Sequence, residues 1–440
     1  TRDAMNPQVT YGEDVISRIN YHMKNPRGLA QMSQAIVTTL NELIADLLRS
    51  TWSSRTAEAG TDEGTSDALC LTAEDIEDAV IVCNTVMHHL LLQLDPTYLA
   101  RSPFPPVMQE SISVRAKDLG IDICPSACVH LLPNEAAFVG ADNVGVLIAE
   151  APYRDDRLQL IIDIGTNGEI LLGNKKHILS AACATGPAFE GAEISFGMRA
   201  APGAIERIII DPETHDVSYK VVGNETWSDY AAPGELGATG ICGSGILDLL
   251  AELFRTGVVE KSGAFHCRQK SRRFRVHADT GVKEFVIAWA GETSLGKDIT
   301  ITQRDIRQIQ LAKAAIYAGC KLLFEKWGTD RVDVVKIAGG FGLHIDPVRI
   351  LIMGMIPDID PKQIIPIGNA AGTGAIGALI SGNKRAEADW IARKVENIEL
   401  SIQKNFKEQF IKALPLPHAE DAFPHLEDLI PADILHPDSV

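Results

Sequence analysis

Four glycine-rich elements stand out in the chain, and three of them set glycines beside residues that can bind phosphate. The first is Asp163-Ile164-Gly165-Thr166-Asn167-Gly168-Glu169, lying between apolar runs at 158–162 and 170–172. It reads as two strands joined by a tight turn, in which glycine lets backbone N–H groups come close to a ligand. Thr166 and Asn167 add side-chain donors. Asp163, at the end of the first strand, is placed to orient the water shell of Mg2+, an ion that keeps several waters and needs one or two carboxylates. The package suits a polyphosphate, although a glycine-bearing hairpin alone is most often only a hairpin.

The second stretch is Gly339, Gly340, Phe341 and Gly342, after an apolar strand at 334–337. Glycines at the carboxyl end of a strand let a flat ring lie against the backbone, as open α/β sheets do with nucleotides. The third is Gly240, Gly243, Ser244 and Gly245 at the start of an apolar helix, whose free N–H groups attract phosphate. Each has a structural reading as well, a loop that needs positive φ. The fourth is a pair of small-residue helices, 136–148 and 370–379. These read either as simple close packing or as the place where two subdomains touch and hinge.

The elements that must position these residues follow from periodicity. Apolar residues at steps of three and four predict helix over 12–49, broken near Pro26 and Gly28. Residues 50–69, rich in Ser, Thr, Gly, Asp and Glu, read as a surface loop. Residues 80–83 (VIVC) read as a buried strand, after which Asn84 caps a helix carrying His88 and His89. Packing is the simpler role for that histidine pair. Residues 216–222 belong to a further hairpin. Thr302 caps the clearest helix, 302–327, with Asp305 three residues on, and Ile306, Ile309, Ala312, Ile316, Cys320 and Leu323 form its apolar face.

The 440 residues predict two or three packed units. A hydrophobic content of 45% and a charged content of 22% exclude extensive disorder. The net charge of −17 weighs against nucleic acid and against an anionic membrane surface. No apolar run reaches the length of a membrane span. Eight scattered cysteines (Cys70, Cys83, Cys124, Cys128, Cys183, Cys242, Cys267 and Cys320) do not form a disulfide scaffold and point to a reduced, cytoplasmic protein. Cys124 and Cys128 have no second pair or nearby histidine to complete a metal site.

In order, small-residue helix, DIGTNGE hairpin, GICGSG helix, AGGFG turn and small-residue helix resemble the second half of the nucleotide-binding core of the acetate-kinase, sugar-kinase, actin and heat-shock-chaperone superfamily. The stretches NPQVTYGEDVISRI, CNTVMHHLLLQLDP, FVGAD, ATGPAFEGAEISFGMRAAPGAIE and ITQRDIRQIQLAKAAI narrow this. They are similar to the ATP-dependent reductive activators of corrinoid proteins, through nearly the whole chain. The resemblance implies an α/β, ribonuclease-H-like fold with two subdomains around a cleft. Residues 1–130 would form an incomplete first subdomain with a helical insertion, 131–385 the second, and 386–440 a charged helix and tail.

It further implies ATP and Mg2+ as ligands and a corrinoid protein as partner, reduced from Co(II) to Co(I); a homodimer is compatible with it. Asp163 and Thr166 would be catalytic, with Asp163 at the metal. Gly165, Asn167, Gly168, Glu169, Gly243, Ser244, Gly245, Gly339, Gly340, Phe341 and Gly342 would bind nucleotide. Such activators usually carry an N-terminal [2Fe–2S] domain and an earlier Asp-Gly-Thr hairpin. Neither pattern occurs here, so upstream sequence is expected to be missing. Two other functions stay open: a small-molecule phosphotransferase, for which Glu190 and Asp142 are the candidate bases, and a non-catalytic nucleotide-binding module.

Overall fold

The structure, a computed structural model, describes residues 1–58, 71–266, 271–277, 280–340 and 345–437. The chain forms two compact units, each built from two separate segments: Thr1–Ala151 with Ala370–Asn397, and Pro152–Asn369 with Ile398–Val440.

The first unit opens with helices α1 (Val15–Lys24) and α2 (Gly28–Glu58), broken where Pro26 and Gly28 predict. Helix α2 runs past residue 50, where the sequence suggested a loop; residues 59–69 of that stretch lie outside the described residues. Strand β1 (Asp78–Ile81) then leads to α3 (Thr85–Leu91), capped by the Asn84 side chain, which accepts from Val86 N. His88 and His89 are both buried. His89 Nδ1 bonds the Thr85 carbonyl and Nε2 accepts from Val107 N, so this ring is occupied in packing. Strand β2 (Ile112–Arg115), the single turn α4 (Ala116–Leu119) and β3 (Cys128–Leu131) follow, and the sheet order is β1-β3-β2.

Helix α5 (Ala141–Glu150) begins later than its small-residue period suggested. The preceding residues spend their carbonyls elsewhere: Thr85 Oγ1 lies 2.6 Å from Ala136 O and 3.2 Å from Val139 O, and Asn84 Nδ2 donates to Phe138 O.

The second unit starts with an antiparallel meander, β4 (Gln159–Ile164), β5 (Gly168–Gly173) and β6 (Ile178–Cys183). A second sheet is made by β7 (Ala204–Ile210), β8 (Val217–Val221) and β9 (Gly240–Ile241), onto which α6 (Gly243–Arg255) packs. A third contains β10 (Phe274–Val276), β11 (Lys283–Ala288) and β12 (Ile299–Thr302). Helix α7 (Gln303–Trp327) crosses the meander, with Gly319 so close that an added Cβ would stand 2.5 Å from Cys183 Sγ. Strand β13 (Val334–Ala338), helix α8 (Pro347–Ile352) and β14 (Ile364–Gly368) follow. Strand β13 runs parallel to both β4 and β14, and within this unit the central sheet reads β14-β13-β4-β5-β6.

The chain then returns to the first unit as α9 (Ala370–Ile380) and α10 (Gly382–Ala392), and finally to the second, where α11 (Phe406–Lys412) and the tail pack. The tail is not a free charged end. Lys313, fully buried on α7, donates to Pro415 O (2.6 Å) and Pro417 O (2.8 Å), and burial pulls its pKa well down. Gln310 Nε2 donates to Leu414 O and the Tyr317 hydroxyl to Asp421. The unit boundaries fall at 151/152, 369/370 and 397/398.

Helices α5 and α9 meet through their small residues. A Cβ on Gly374 would lie 2.0 Å from Gly145 O, and one on Gly145 would lie 2.8 Å from Ala371 O. Gly374→Ala should therefore push two helix backbones apart and destabilise the first unit by about 1–3 kcal/mol, the usual cost of overpacking; urea unfolding measures it, and an unchanged midpoint would refute the close contact. Asp142, in the first turn of α5, has its carboxyl pushed up to about 6 by burial, from an ordinary 3.8. The folded protein thus holds this proton more tightly than the unfolded chain, so stability falls as pH rises from about 4 to about 6. Asp142→Asn should be more stable than the parent at pH 7, with the gap closing towards pH 4. A gap in melting temperature that ignores pH would contradict this.

Candidate nucleotide-binding site

Strand β4 is buried except at Asp163, which is partly open. Asp163 pairs across from Glu169 on β5 and beside Ala338 on β13. Because β4 and β13 are parallel, their carboxyl ends stand together, and the residue after Ala338 lies against the Asp163–Ile164 backbone. That residue is Gly339, at φ 122°. A Cβ there would stand 2.5 Å from Ile164 O and 3.4 Å from Asp163 Oδ1, so the position accepts only glycine. Its N–H donates to Gly368 O at 3.0 Å. Gly340 is exposed, with nothing near the place of a Cβ. Two of the four glycine stretches thus meet at one sheet end, where open α/β sheets take ligands. Phe341 and Gly342 lie outside the described residues.

The turn leaves Gly165, Thr166 and Asn167 partly open, while Gly168 and Glu169 are buried. Thr185, just beyond β6, braces it: its Oγ1 lies 3.0 Å from Gly165 O and 2.9 Å from Thr166 O, sharing one proton between them. Gly168 makes room for the Thr185 methyl, which would stand 3.0 Å from an added Cβ. The Thr166 hydroxyl donates to Glu190.

Glu190 belongs to a loop between β6 and β7 that is fixed along its length. Gly191 and Gly197 touch backbone to backbone, so that a Cβ on Gly197 would overlap the Gly191 carbonyl. Met198 N donates to Ile241 O and Ile241 N to Phe196 O, joining the loop to β9. Ser195 donates twice to Asp305 Oδ1, from its N–H and its hydroxyl, each at 3.0 Å. The other oxygen of Asp305 accepts from Thr302 N (2.8 Å) and Thr302 Oγ1 (2.7 Å). A single carboxylate, 1% exposed, therefore caps α7 and anchors the loop. The sequence disclosed only the cap; Ser195 is 110 residues away and carries no local signal.

Gly243, Ser244 and Gly245 form the first turn of α6 and are all buried. A Cβ on Gly245 would meet Ile205 O at 2.3 Å, so this glycine serves the contact of α6 with β7. Among the described residues no hydrogen bond joins these three to the Asp163 turn. The connection is indirect, through the Pro187–Glu190 turn that packs on α6.

The donor set fits a hydrated Mg2+: one carboxylate at a strand end, beside a backbone cradle that any side chain at Gly339 would fill. It does not fit a [2Fe–2S] cluster, which takes four thiolates. The described cysteines are separate free thiols, and among the described residues no group of three metal-ligating side chains forms.

Residues 157–427 match the family model described as the C-terminal domain of RACo, the ASKHA domain, and residues 1–59 and 63–154 match the RACo middle region. The corrinoid activation enzyme RamQ of Eubacterium limosum is 37% identical over 417 residues, covering 92% of this chain and 64% of that protein. A Co(II) methylated amine-specific corrinoid protein reductase of Methanosarcina barkeri is 26% identical over 272 residues, 58% of this chain and 45% of its own. A solved structure named as a reductive activator for corrinoid, iron-sulfur protein is 37% identical, with a TM-score of 0.83 over 97% of this chain and 62% of its own. The chain thus spans less than two thirds of each. The meander β4–β6 followed by parallel β13 and β14 is the ribonuclease-H-like core of the actin and sugar-kinase type. On its fold and its match over most of its length, this chain belongs to the RACo family, carrying the family's middle region and its ASKHA domain.

Proposed function

We propose that this chain is the ATP-hydrolysing and partner-docking part of an activator that takes a corrinoid protein from Co(II) to Co(I). The observation that carries the reading is the meeting of the Asp163–Glu169 turn with Gly339 at one sheet end, in a family whose compared members are named for activating or reducing corrinoid proteins. Asp163 would hold the water shell of Mg2+, which when bound neutralises charge on the phosphates. Gly165, Thr166, Asn167 and Gly168 would face the phosphates with N–H and side-chain donors. Glu169 supports the turn from the ladder opposite Asp163. Gly339 and Gly340 would line the adenosine pocket, and Gly243, Ser244 and Gly245 would support it from α6 through the Pro187–Glu190 turn.

The chemistry explains why ATP is required. Reduction of Co(II) to Co(I) is uphill for ordinary reductants. Nucleotide-driven conformational change can bias the partner towards a state that accepts the electron, provided that ATP binds the two states unequally. Linkage then requires the partner to change ATP affinity by the same factor as ATP changes partner affinity.

In a protein extended to the length of its relatives, Asp163→Asn should lower ATP turnover about 100-fold or more while leaving the melting temperature unchanged. Equal turnover would remove Asp163 from the site. In the parent protein, a Co(II) corrinoid protein should raise ATP turnover, and Co(I) should appear in its visible spectrum. If turnover and cobalt reduction both ignore that partner, the activator reading fails and a phosphotransferase, tested with hydroxyl- or carboxyl-bearing acceptors, takes its place.

A further inference from the structure

The Pro187–Glu190 turn is built to hold out one carboxylate. It is flanked by Gly186 at φ 67° and Gly191 at φ 86°, conformations that side chains rarely adopt. Between them Ala188 and Phe189 are planted in the core, at 3% and 0% exposure, while Glu190 is exposed. The loop beyond is pinned by Ser195 to Asp305 and by Met198 to Ile241, so Glu190 stands on a fixed base. Its Oε1 accepts the hydroxyl of Thr166, a residue of the turn assigned above to the phosphates. Among the described residues no lysine or arginine is paired with Glu190. By charge alone a carboxylate in this place opposes the binding of a polyphosphate. What it offers in return is a proton acceptor beside the terminal phosphate.

We infer that Glu190 is a catalytic residue of ATP hydrolysis, orienting the attacking water and accepting its proton. The inference rests on the reading of the Asp163 turn as an ATP site. The water oxygen bonds to the γ-phosphorus as the bond from that phosphorus to the bridging oxygen breaks. ADP leaves with the bridging oxygen, and the water proton passes to Glu190 and then to solvent. Thr166 supplies the switch. Its hydroxyl donates to Glu190 here, and donating to a phosphate oxygen instead leaves Oε1 open to the water. General-base assistance of this kind is commonly worth about 10²–10⁴ in rate.

The test uses Glu190→Gln in the protein extended to the length of its relatives, with kcat and KM for Mg-ATP and a separate equilibrium titration of ATP binding. The expected result is a kcat at least about 100-fold lower. ATP affinity should be equal or tighter, because a like charge has gone. Glu190→Asp should restore part of the rate, and an unchanged melting temperature confirms that the exposed substitution leaves the fold intact. A kcat within about threefold of the parent would overturn the inference while leaving the ATP site standing. Loss of ATP affinity with kcat preserved would overturn it too, since Glu190 would then only bind. A parent protein that fails to bind ATP would instead bring down the nucleotide reading itself.

Discussion

The proposed site depends first on the register in which β4 is paired on both sides. Strand β4 is antiparallel to β5 and parallel to β13, and it is buried at every position but Asp163. A slip of one residue would turn the aspartate inward and bring Ile162 or Ile164 out. Alternation cannot set this register, because both faces are covered. The tight turn to β5 fixes one side. On the other, Gly339 closes against the Ile164 carbonyl, and the irregularity between Ile337 and Ala338 in the β13–β14 ladder brings Gly368 to the Gly339 N–H.

Around that register the loop between β6 and β7 acts as a bracket. Thr185 braces the turn at its start, Glu190 meets Thr166, and Ser195 reaches the buried Asp305. A buried carboxylate without a cation is costly unless its lone pairs are satisfied. Asp305 meets that condition with four hydrogen bonds, two to Thr302 and two to Ser195. The helix cap and the loop anchor are therefore one structure, and a change to either reaches the other.

Much of the frame was legible in the sequence because its causes are local. Asn84 and Thr302 cap the helices expected of them, and the apolar face of α7 is buried as its period implies. The DIGTNGE turn and the strand before Gly339 form as read. What the sequence hid has distant causes. The late start of α5 follows from Asn84 and Thr85 taking the carbonyls before it, some fifty residues along the chain. The role of Ser195 needs Asp305, and the buried face of Lys313 needs a tail about a hundred residues away. A period that looked helical from 136 onward carried no sign of those competing partners.

Both units are discontinuous in sequence, and this bears on how the chain is made. The first unit has its opening 151 residues early, but α9, which covers Gly145, is contributed by the segment ending at Asn397. At about 5–20 residues per second of synthesis, the small-residue face of α5 waits roughly ten to fifty seconds on the ribosome for that partner. In the second unit, too, the carbonyls of Pro415 and Pro417 that receive Lys313 are made about a hundred residues after it. Each unit therefore closes only after a segment remote in sequence has been made, and the small-residue face of α5 and the Lys313 ammonium stay uncovered until then.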